Sequence, residues 1–407
     1  MPRLILRTLA STLLGVAALG AGPASESGRK PLNRPHLLTP EKPLIRVGAA
    51  QPKRRLIDYR QRDPRLVLEE VNTSLDALVA LVNRGGELGC DVLALPEDTL
   101  GLGHWEAGNQ EVLSKVLPDA VDRMLGALGK AAASHRMYLV CSNDTVDADG
   151  SVRNTAFFLG RDGREIGRYE KVNMPIHELY KKRGNGFPVF ETPDLGGVGM
   201  LICYDMVFPE AARCLALGGA DIIFNPTLGG AAVGDGDISR AAFRTRAAEN
   251  FVYVVVAQRG AGSMIIAPTG KILADGGNPD DIVTADVNPF GGRQQGDAMN
   301  FQQDMRARLF RERSPAAFGI LTDPNPPALG KVPEATSVED ASRIANGVLT
   351  DGEHEFRAAA ELLADGKRDE AILAFEALIE KYPKSWIDRV SRQRLGTIDP
   401  ERYGNPD

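Results

Sequence analysis

Residues 198–225 read VGMLICYDMVFPEAARCLALGGADIIFN, and their pattern sets the class of the fold. Val198–Cys203 is an apolar run of strand length, Phe208-Pro209-Glu210 opens a helix over Pro209–Leu217, and Asp221–Asn225 is a second apolar strand. The same alternation extends both ways. Upstream, Leu44–Ala50 is β-like, and Leu68, Val71, Leu75, Leu78, Val79 and Val82 form one apolar helix face that Gly85 and Gly86 end. Asp91–Leu95 is a compact strand stopped by Pro96, and Val121, Met124, Leu125 and Leu128 mark a second amphipathic helix. Strands follow at Met137–Ser142, Asn154–Leu159 and Glu165–Val172, the last two joined by a turn at Arg161-Asp162-Gly163. Downstream come a helix at Ser239–Asn250 and strands at Val252–Ala257, Ser263–Ala267, Lys271–Ala274 and Ile282–Val287, with a tight hairpin at Pro268-Thr269-Gly270. Strands alternating with helices, plus hairpins, predict a mixed-sheet layered α/β domain over residues 44–322.

The composition of the 407 residues is ordinary for a globular protein, 43% hydrophobic and 25% charged, which argues against wholesale disorder. A net charge of −6 argues against bulk nucleic-acid binding. Four cysteines without a C-x-x-C pair are too few for a disulfide scaffold and fit neither a zinc ribbon nor a thioredoxin-type site. The five histidines are scattered, so neither a metal nor another cofactor is expected.

Arg3 and Arg7 precede a mainly apolar run from Leu9 to Ala21, with small residues at Gly22 and Ala24. Residues 1–24 therefore read as a signal peptide, too short to span a bilayer comfortably. The expectation is export to the periplasm or the extracellular space, with no stable membrane insertion after cleavage. Loss of the two arginines would take the net charge from −6 to −8. Residues 25–43 carry four prolines and read as a linker, and four more between Asp323 and Pro333 mark a second linker over 323–350. Residues 351–388 show helical spacing broken at Asp365-Gly366, a helical hairpin, and 389–407 read as a tail.

Three strand ends in the main domain carry a reactive side chain. Leu95-Pro96 delivers Glu97, the strand closing with Tyr169-Glu170 delivers Lys171, and Leu201-Ile202 delivers Cys203. In open α/β sheets, ligands bind outside the carboxyl ends of strands. A thiol at a strand-to-helix turn can feel the positive end of the helix, which lowers its pKa. A cysteine nucleophile, a carboxylate to move its proton and a lysine to stabilise an oxyanion make up covalent acyl chemistry. Each residue alone has a plainer reading, as core cysteine or solvated surface charge; Cys90 and Cys141 are better read as core.

The chain resembles the nitrilase, or carbon–nitrogen hydrolase, superfamily. The resemblance rests on Val47-Gly48-Ala49-Ala50-Gln51, Leu95-Pro96-Glu97, Tyr169-Glu170-Lys171-Val172-Asn173-Met174-Pro175 and Leu201-Ile202-Cys203-Tyr204-Asp205 with Phe208-Pro209-Glu210. Arg246-Ala247-Ala248-Glu249-Asn250 and Ser263–Gly270 continue it in order. It implies a four-layer α-β-β-α sandwich that assembles as a homodimer or higher homo-oligomer. It also implies a triad of Cys203 as nucleophile, Glu97 as general base and acid, and Lys171 as oxyanion partner, with the Tyr204 backbone N–H assisting. Glu178 fits the slot of the family's second glutamate, with Glu170 and Glu191 as alternatives. Cys203-Tyr204-Asp205 is similar to amidases and N-carbamoyl amidases rather than nitrilases, so a small-molecule amide or ureido substrate is implied.

The basic stretch from Lys53 to Arg65 departs from the compact family pattern and reads as a solvated loop or, alternatively, a surface for an acidic substrate or partner. Residues 358–386 resemble one tetratricopeptide-type unit, too few to stack as a solenoid and expected to pack on the enzyme core or at a subunit interface. Other functions compatible with these residues are acyl transfer to an amine through the same triad, a non-catalytic binding scaffold, and a Cys203–His177 protease, for which no motif speaks.

Overall fold

The computed structural model describes residues 44–53, 57, 61–107, 109–175, 178–229, 236–290, 305–331, 352–382 and 386–404. The leader, the first linker, residues 54–56 and 58–60 of the basic stretch, and His177 lie outside the described residues.

Twelve strands form two six-stranded sheets. The first holds β1 (Ile45–Gln51), β2 (Val92–Ala94), β3 (Tyr138–Val146), β4 (Val152–Leu159), β5 (Glu165–Glu170) and β12 (Asp281–Val287), in the order β12-β1-β2-β3-β4-β5. The second holds β6 (Val189–Thr192), β7 (Gly196–Met200), β8 (Ile222–Thr227), β9 (Tyr253–Gln258), β10 (Met264–Ile266) and β11 (Ile272–Asp275), in the order β11-β10-β9-β8-β7-β6. In each sheet the central strands run parallel, β1 to β2 to β3 and β7 to β8 to β9, and antiparallel strands close the edges. Parallel neighbours must be joined by crossovers, and helices supply them: α1 (Pro64–Glu87), α2 (Gly103–Ala107) and α3 (Leu113–Ser134) for the first sheet, α4 (Pro209–Gly218) and α5 (Gly236–Asn250) for the second.

Strand alternation sorts the side chains into layers. Val47, Ala49, Val92 and Ala94 face the core shared with the second sheet, together with Val198, Met200, Ile222 and Phe224. Their sequence neighbours Ala50, Leu93 and Leu95 turn the other way, against Val71, Leu75 and Leu78 of α1 and Val121, Met124 and Leu128 of α3. Helices α4 and α5 cover the far face of the second sheet through Ala211, Leu215, Phe243 and Ala247. The result is the four-layer α-β-β-α sandwich implied by the sequence motifs.

Three elements escape the sequence pattern. The edge strand β6 is four residues long, too short to show a period. Helix α6 (Met305–Glu312) is rich in arginine, yet its Arg306 is buried and donates to Asp221 Oδ1 at 2.9 Å and to the Ala216 carbonyl at 3.1 Å. The C-terminal segment folds as three helices rather than a hairpin with a tail: α7 (Glu353–Ala364), α8 (Arg368–Lys381) and α9 (Trp386–Ile398). Two helices share only one mutual face; Ile387, Val390 and Leu395 of the third complete a separate core with Phe356, Ala371, Phe375 and Leu378. Residues 389–407, read as a tail, thus carry most of α9 and a further turn at Pro400–Tyr403.

Candidate active site

The C-terminal ends of β2, β5, β7 and β8 carry the candidate residues. Beyond β2, the Leu95 N–H still bonds to the Val140 carbonyl at 2.8 Å, and Pro96 then ends the ladder and turns Glu97 inward, where only 2% of it is exposed. The loop is tied down: Thr99 N–H donates to the Ser142 carbonyl at 2.7 Å, and the Arg259 guanidinium donates to the Glu97 carbonyl at 3.1 Å and also to that of Asp98.

Lys171 follows β5, its N–H bonded to the Asn154 carbonyl at 2.9 Å. The pleat sends Glu170 outward, where its Oε2 meets Arg153 at 2.6 Å, and Lys171 inward, where it is 1% exposed. Its Nζ donates to Glu97 Oε1 at 3.0 Å and to Glu178 Oε2 at 2.7 Å. Asn154 Nδ2 bridges the same two carboxylates, at 2.9 Å to Glu97 Oε1 and 3.4 Å to Glu178 Oε1. The other Glu97 oxygen, Oε2, accepts the Leu228 N–H at 3.2 Å. Glu191 lies exposed on the edge strand β6 and takes no part in this cluster.

The strand read as Val198–Cys203 ends at Met200; Cys203 opens a five-residue 3-10 turn, Cys203–Val207, with φ of 45°. That left-handed conformation is uncommon for a residue with a side chain and marks a strained elbow. Tyr204 is the second residue of the turn, where an N–H has no partner within the turn. Asp205 fixes the elbow. Fully buried, it accepts the Ile202 N–H at 3.1 Å, the Tyr169 hydroxyl at 2.7 Å, and the Asn173 N–H and side-chain amide at 2.8 and 3.0 Å. Tyr169 and Asn173 flank Lys171 by two residues on each side, so one carboxylate latches the lysine segment to the cysteine turn. Asp205→Asn puts an amide group where donors converge. It is expected to cost about 2–4 kcal/mol, judged from the loss of two bonds to a buried charge, read as a lowered Tm together with a lowered kcat.

The electrostatics revise one expectation. Burial pushes the Cys203 thiol up to about 12, the Glu97 carboxylate adds to the rise, and Lys171 and the Thr227 hydroxyl only partly oppose it. The short 3-10 turn is too weak a dipole to offset this. Cys203 therefore rests as a thiol, not as the depressed thiolate that a helix N-terminus would give. Burial alone would lower the Lys171 ammonium, but Glu178 and Glu97 outweigh it and hold the group above its ordinary value, so it stays charged. All four cysteines are free; burial raises Cys90 and Cys141 to about 12 as well, whereas Cys214 is exposed. Among the described residues, no group of three His, Cys, Asp or Glu side chains is arranged to hold a metal ion.

The sequence motifs thus converge in space: Glu97, Lys171 and Glu178 are in direct contact, and Cys203 sits in their field. Asn154, Thr227, Arg259 and Asp205 were not singled out, although Asp205 falls within the cysteine motif and Asn154 is a lone amide opening an apolar strand.

The profile of the family described as carbon-nitrogen hydrolase matches residues 46–294. The chain belongs to that family. Among relatives within it, the deaminated glutathione amidase of Synechocystis sp. (strain PCC 6803 / GT-S) is 35% identical over 161 residues, 34% of this chain. The match spans 59% of that relative's length, so the chain covers less than two thirds of it. The N-carbamoylputrescine amidase of Solanum tuberosum is 24% identical over 284 residues, covering 62% of this chain and 91% of the relative. The fold is shared with a double mutant of an amidase from Nesterenkonia sp. AN1 in complex with acrylamide, at a TM-score of 0.51 and 23% identity over 67% of this chain and 98% of the other. A glutamate-to-glutamine mutant of that amidase, at a TM-score of 0.51 and 22% identity over 66% of this chain and 97% of the other, carries the acetamide moiety of fluoroacetamide covalently on its active-site cysteine.

Proposed function

We propose that this carbon-nitrogen hydrolase cleaves the C–N bond of a small amide or N-carbamoyl compound through a thioester on Cys203. The observation that carries the reading is the buried contact of Lys171 Nζ with Glu97 at 3.0 Å and Glu178 at 2.7 Å beside a half-buried thiol. As Cys203 Sγ attacks the carbonyl carbon, its proton passes to Glu97; a thiol resting near pKa 12 requires a base at that moment. The tetrahedral oxyanion is held by the Lys171 ammonium and the Tyr204 N–H. Glu97 returns the proton to the leaving nitrogen, the C–N bond breaks and ammonia departs. Water then attacks the thioester, giving one proton to Glu97, and collapse restores the thiol and releases the acid. A ureido substrate would yield a carbamic acid that loses CO2.

From the leader pattern of residues 1–24 we further propose export with processing after Ala24, and from the family resemblance a homodimer or higher homo-oligomer acting on a small-molecule partner. No helix among the described residues is long and apolar enough to cross a membrane. The test is an ammonia-release screen over amides, N-carbamoyl amines, N-carbamoyl amino acids and nitriles. Release from amides or ureido compounds is expected; release from nitriles alone, or equal release by a Cys203→Ala variant, would overturn the reading.

A further inference from the structure

The buried charges do not stop at the triad. From Glu97 inward, signs alternate through groups that are each at most 9% exposed: Glu97, Lys171, Glu178, Lys181 and Asp144. Glu178 divides its oxygens, Oε2 to Lys171 at 2.7 Å and Oε1 to Lys181 at 3.3 Å, and the Lys181 ammonium meets Asp144 on β3 on its other side. Lys181 and Glu178 sit on one turn, the Lys181 N–H bonded to the Glu178 carbonyl at 2.9 Å.

We propose that Lys181 is a positioning residue for the reaction: anchored on Asp144, it holds the Glu178 carboxylate in the rotamer that fixes Lys171 against the reacting carbonyl. This rests on the roles given to Cys203, Glu97 and Lys171 above. A carboxylate gripped by two ammonium groups cannot rotate without breaking one buried pair, and the grip is strong where water is absent. Oε1 also accepts the Asn154 side-chain amide at 3.4 Å, a longer contact than the ones the two ammonium groups make.

Asp144 is itself backed by Glu106 of α2, which is 1% exposed and whose two oxygens meet no donor among the described residues. Two facing buried carboxyls are stable only with a proton between them. The groups around Glu106 are Asp144, Asp98 and Lys181, and burial with Asp144 raises its carboxyl well above the usual range. The raised carboxyl favours the neutral form of Glu106 beside Asp144.

The experiment compares Lys181→Met, Lys181→Arg, Asp144→Asn and Glu106→Gln in the full chain, with ammonia release from the best amide of the screen and circular dichroism as a folding check. Lys181→Met is expected to lower kcat by about 10- to 100-fold while KM moves less than about threefold, because the array touches Lys171 and not the substrate. Lys181→Arg should restore most of the loss, Asp144→Asn should lower kcat by about tenfold, and Glu106→Gln, which keeps a neutral group of the same shape, should stay within about twofold. If Lys181→Met does not fold, Asp144→Asn decides. The inference is overturned by a folded Lys181→Met or Asp144→Asn with wild-type kcat, by a loss confined to KM, or by an arginine variant no better than the methionine one. A wild-type protein that releases no ammonia, or whose Cys203→Ala variant matches it, overturns the functional reading instead, and this inference with it.

Discussion

Cys203→Ala is expected to abolish turnover while leaving the sandwich folded. The backbone φ of 45° is carried by the 3-10 turn and by Asp205, not by the thiol, and alanine meets the same strain there as cysteine. Deleting one half-buried sulfur should cost about 1 kcal/mol of stability, little beside the loss of a nucleophile. The chemical signature is covalent. Fluoroacetamide, small and amide-shaped, should add its acetamide moiety to Cys203 as the sulfur displaces fluoride, and intact-mass analysis should find no adduct in the alanine variant. A general alkylator such as iodoacetamide should discriminate less, since burial raises Cys203 to about 12 while Cys214 is exposed. Because the thiol rests protonated, its labelling rate should climb about tenfold per pH unit through the alkaline range without a plateau near neutrality. Persistent turnover in Cys203→Ala would end the assignment.

Much of this candidate site was legible because its residues sit where strands stop. Glu97 and Cys203 each follow an apolar run that ends abruptly, where a polar group is conspicuous in a string of letters, whereas Lys171 follows the polar edge strand β5. The supporting residues lack that contrast. Asn154 and Thr227 are ordinary polar residues at strand ends, and Asp205 finds Tyr169 more than 30 residues back, a pairing only the closed sandwich creates. Lys181-Lys182-Arg183 reads as a solvated charge run, yet Lys181 is buried against Asp144 while Lys182 stays exposed to pair with Asp149 at 3.1 Å. Which charge of a run turns inward depends on what waits inside, and that is a tertiary fact. The state of Cys203 differs from the sequence expectation for a similar reason: the helix N-terminus is visible in sequence, whereas the burial and the neighbouring carboxylate that raise the thiol are not. The C-terminal third helix was missed because Ile387, Val390 and Leu395 are too sparse to show a face without the two helices they cover.

Glu97→Gln and Lys171→Met separate proton transfer from oxyanion stabilisation. Glu97→Gln cannot accept the thiol proton, and a general base supplies about 10²–10⁴-fold; a kcat loss of that order is expected with the fold intact. Lys171→Met removes one oxyanion donor, worth about 10²–10³-fold, and leaves Glu97 and Glu178 facing each other without their shared cation. Breaking a buried pair in this way costs about 3–5 kcal/mol, so this variant should also melt earlier. The sign with pH is fixed. The two carboxylates hold Lys171 above its ordinary 10.5, so its contribution to wild-type stability is fully present below pH 10.5 and is lost only as pH rises through the higher folded value. In Lys171→Met that alkaline loss should vanish from the stability curve. Glu178→Gln should slow turnover without ending it, since Asn154 and Glu97 still hold the lysine side of the site. The control is Glu170→Gln. That side chain points out to Arg153 at 2.6 Å, and its replacement should leave kcat nearly unchanged. The effects need not add, because groups acting on one transition state fail together. If Glu170 proved essential and Glu97 dispensable, the pleat would run in the opposite register, and the roles given to Lys171 and Cys203 would fall with it.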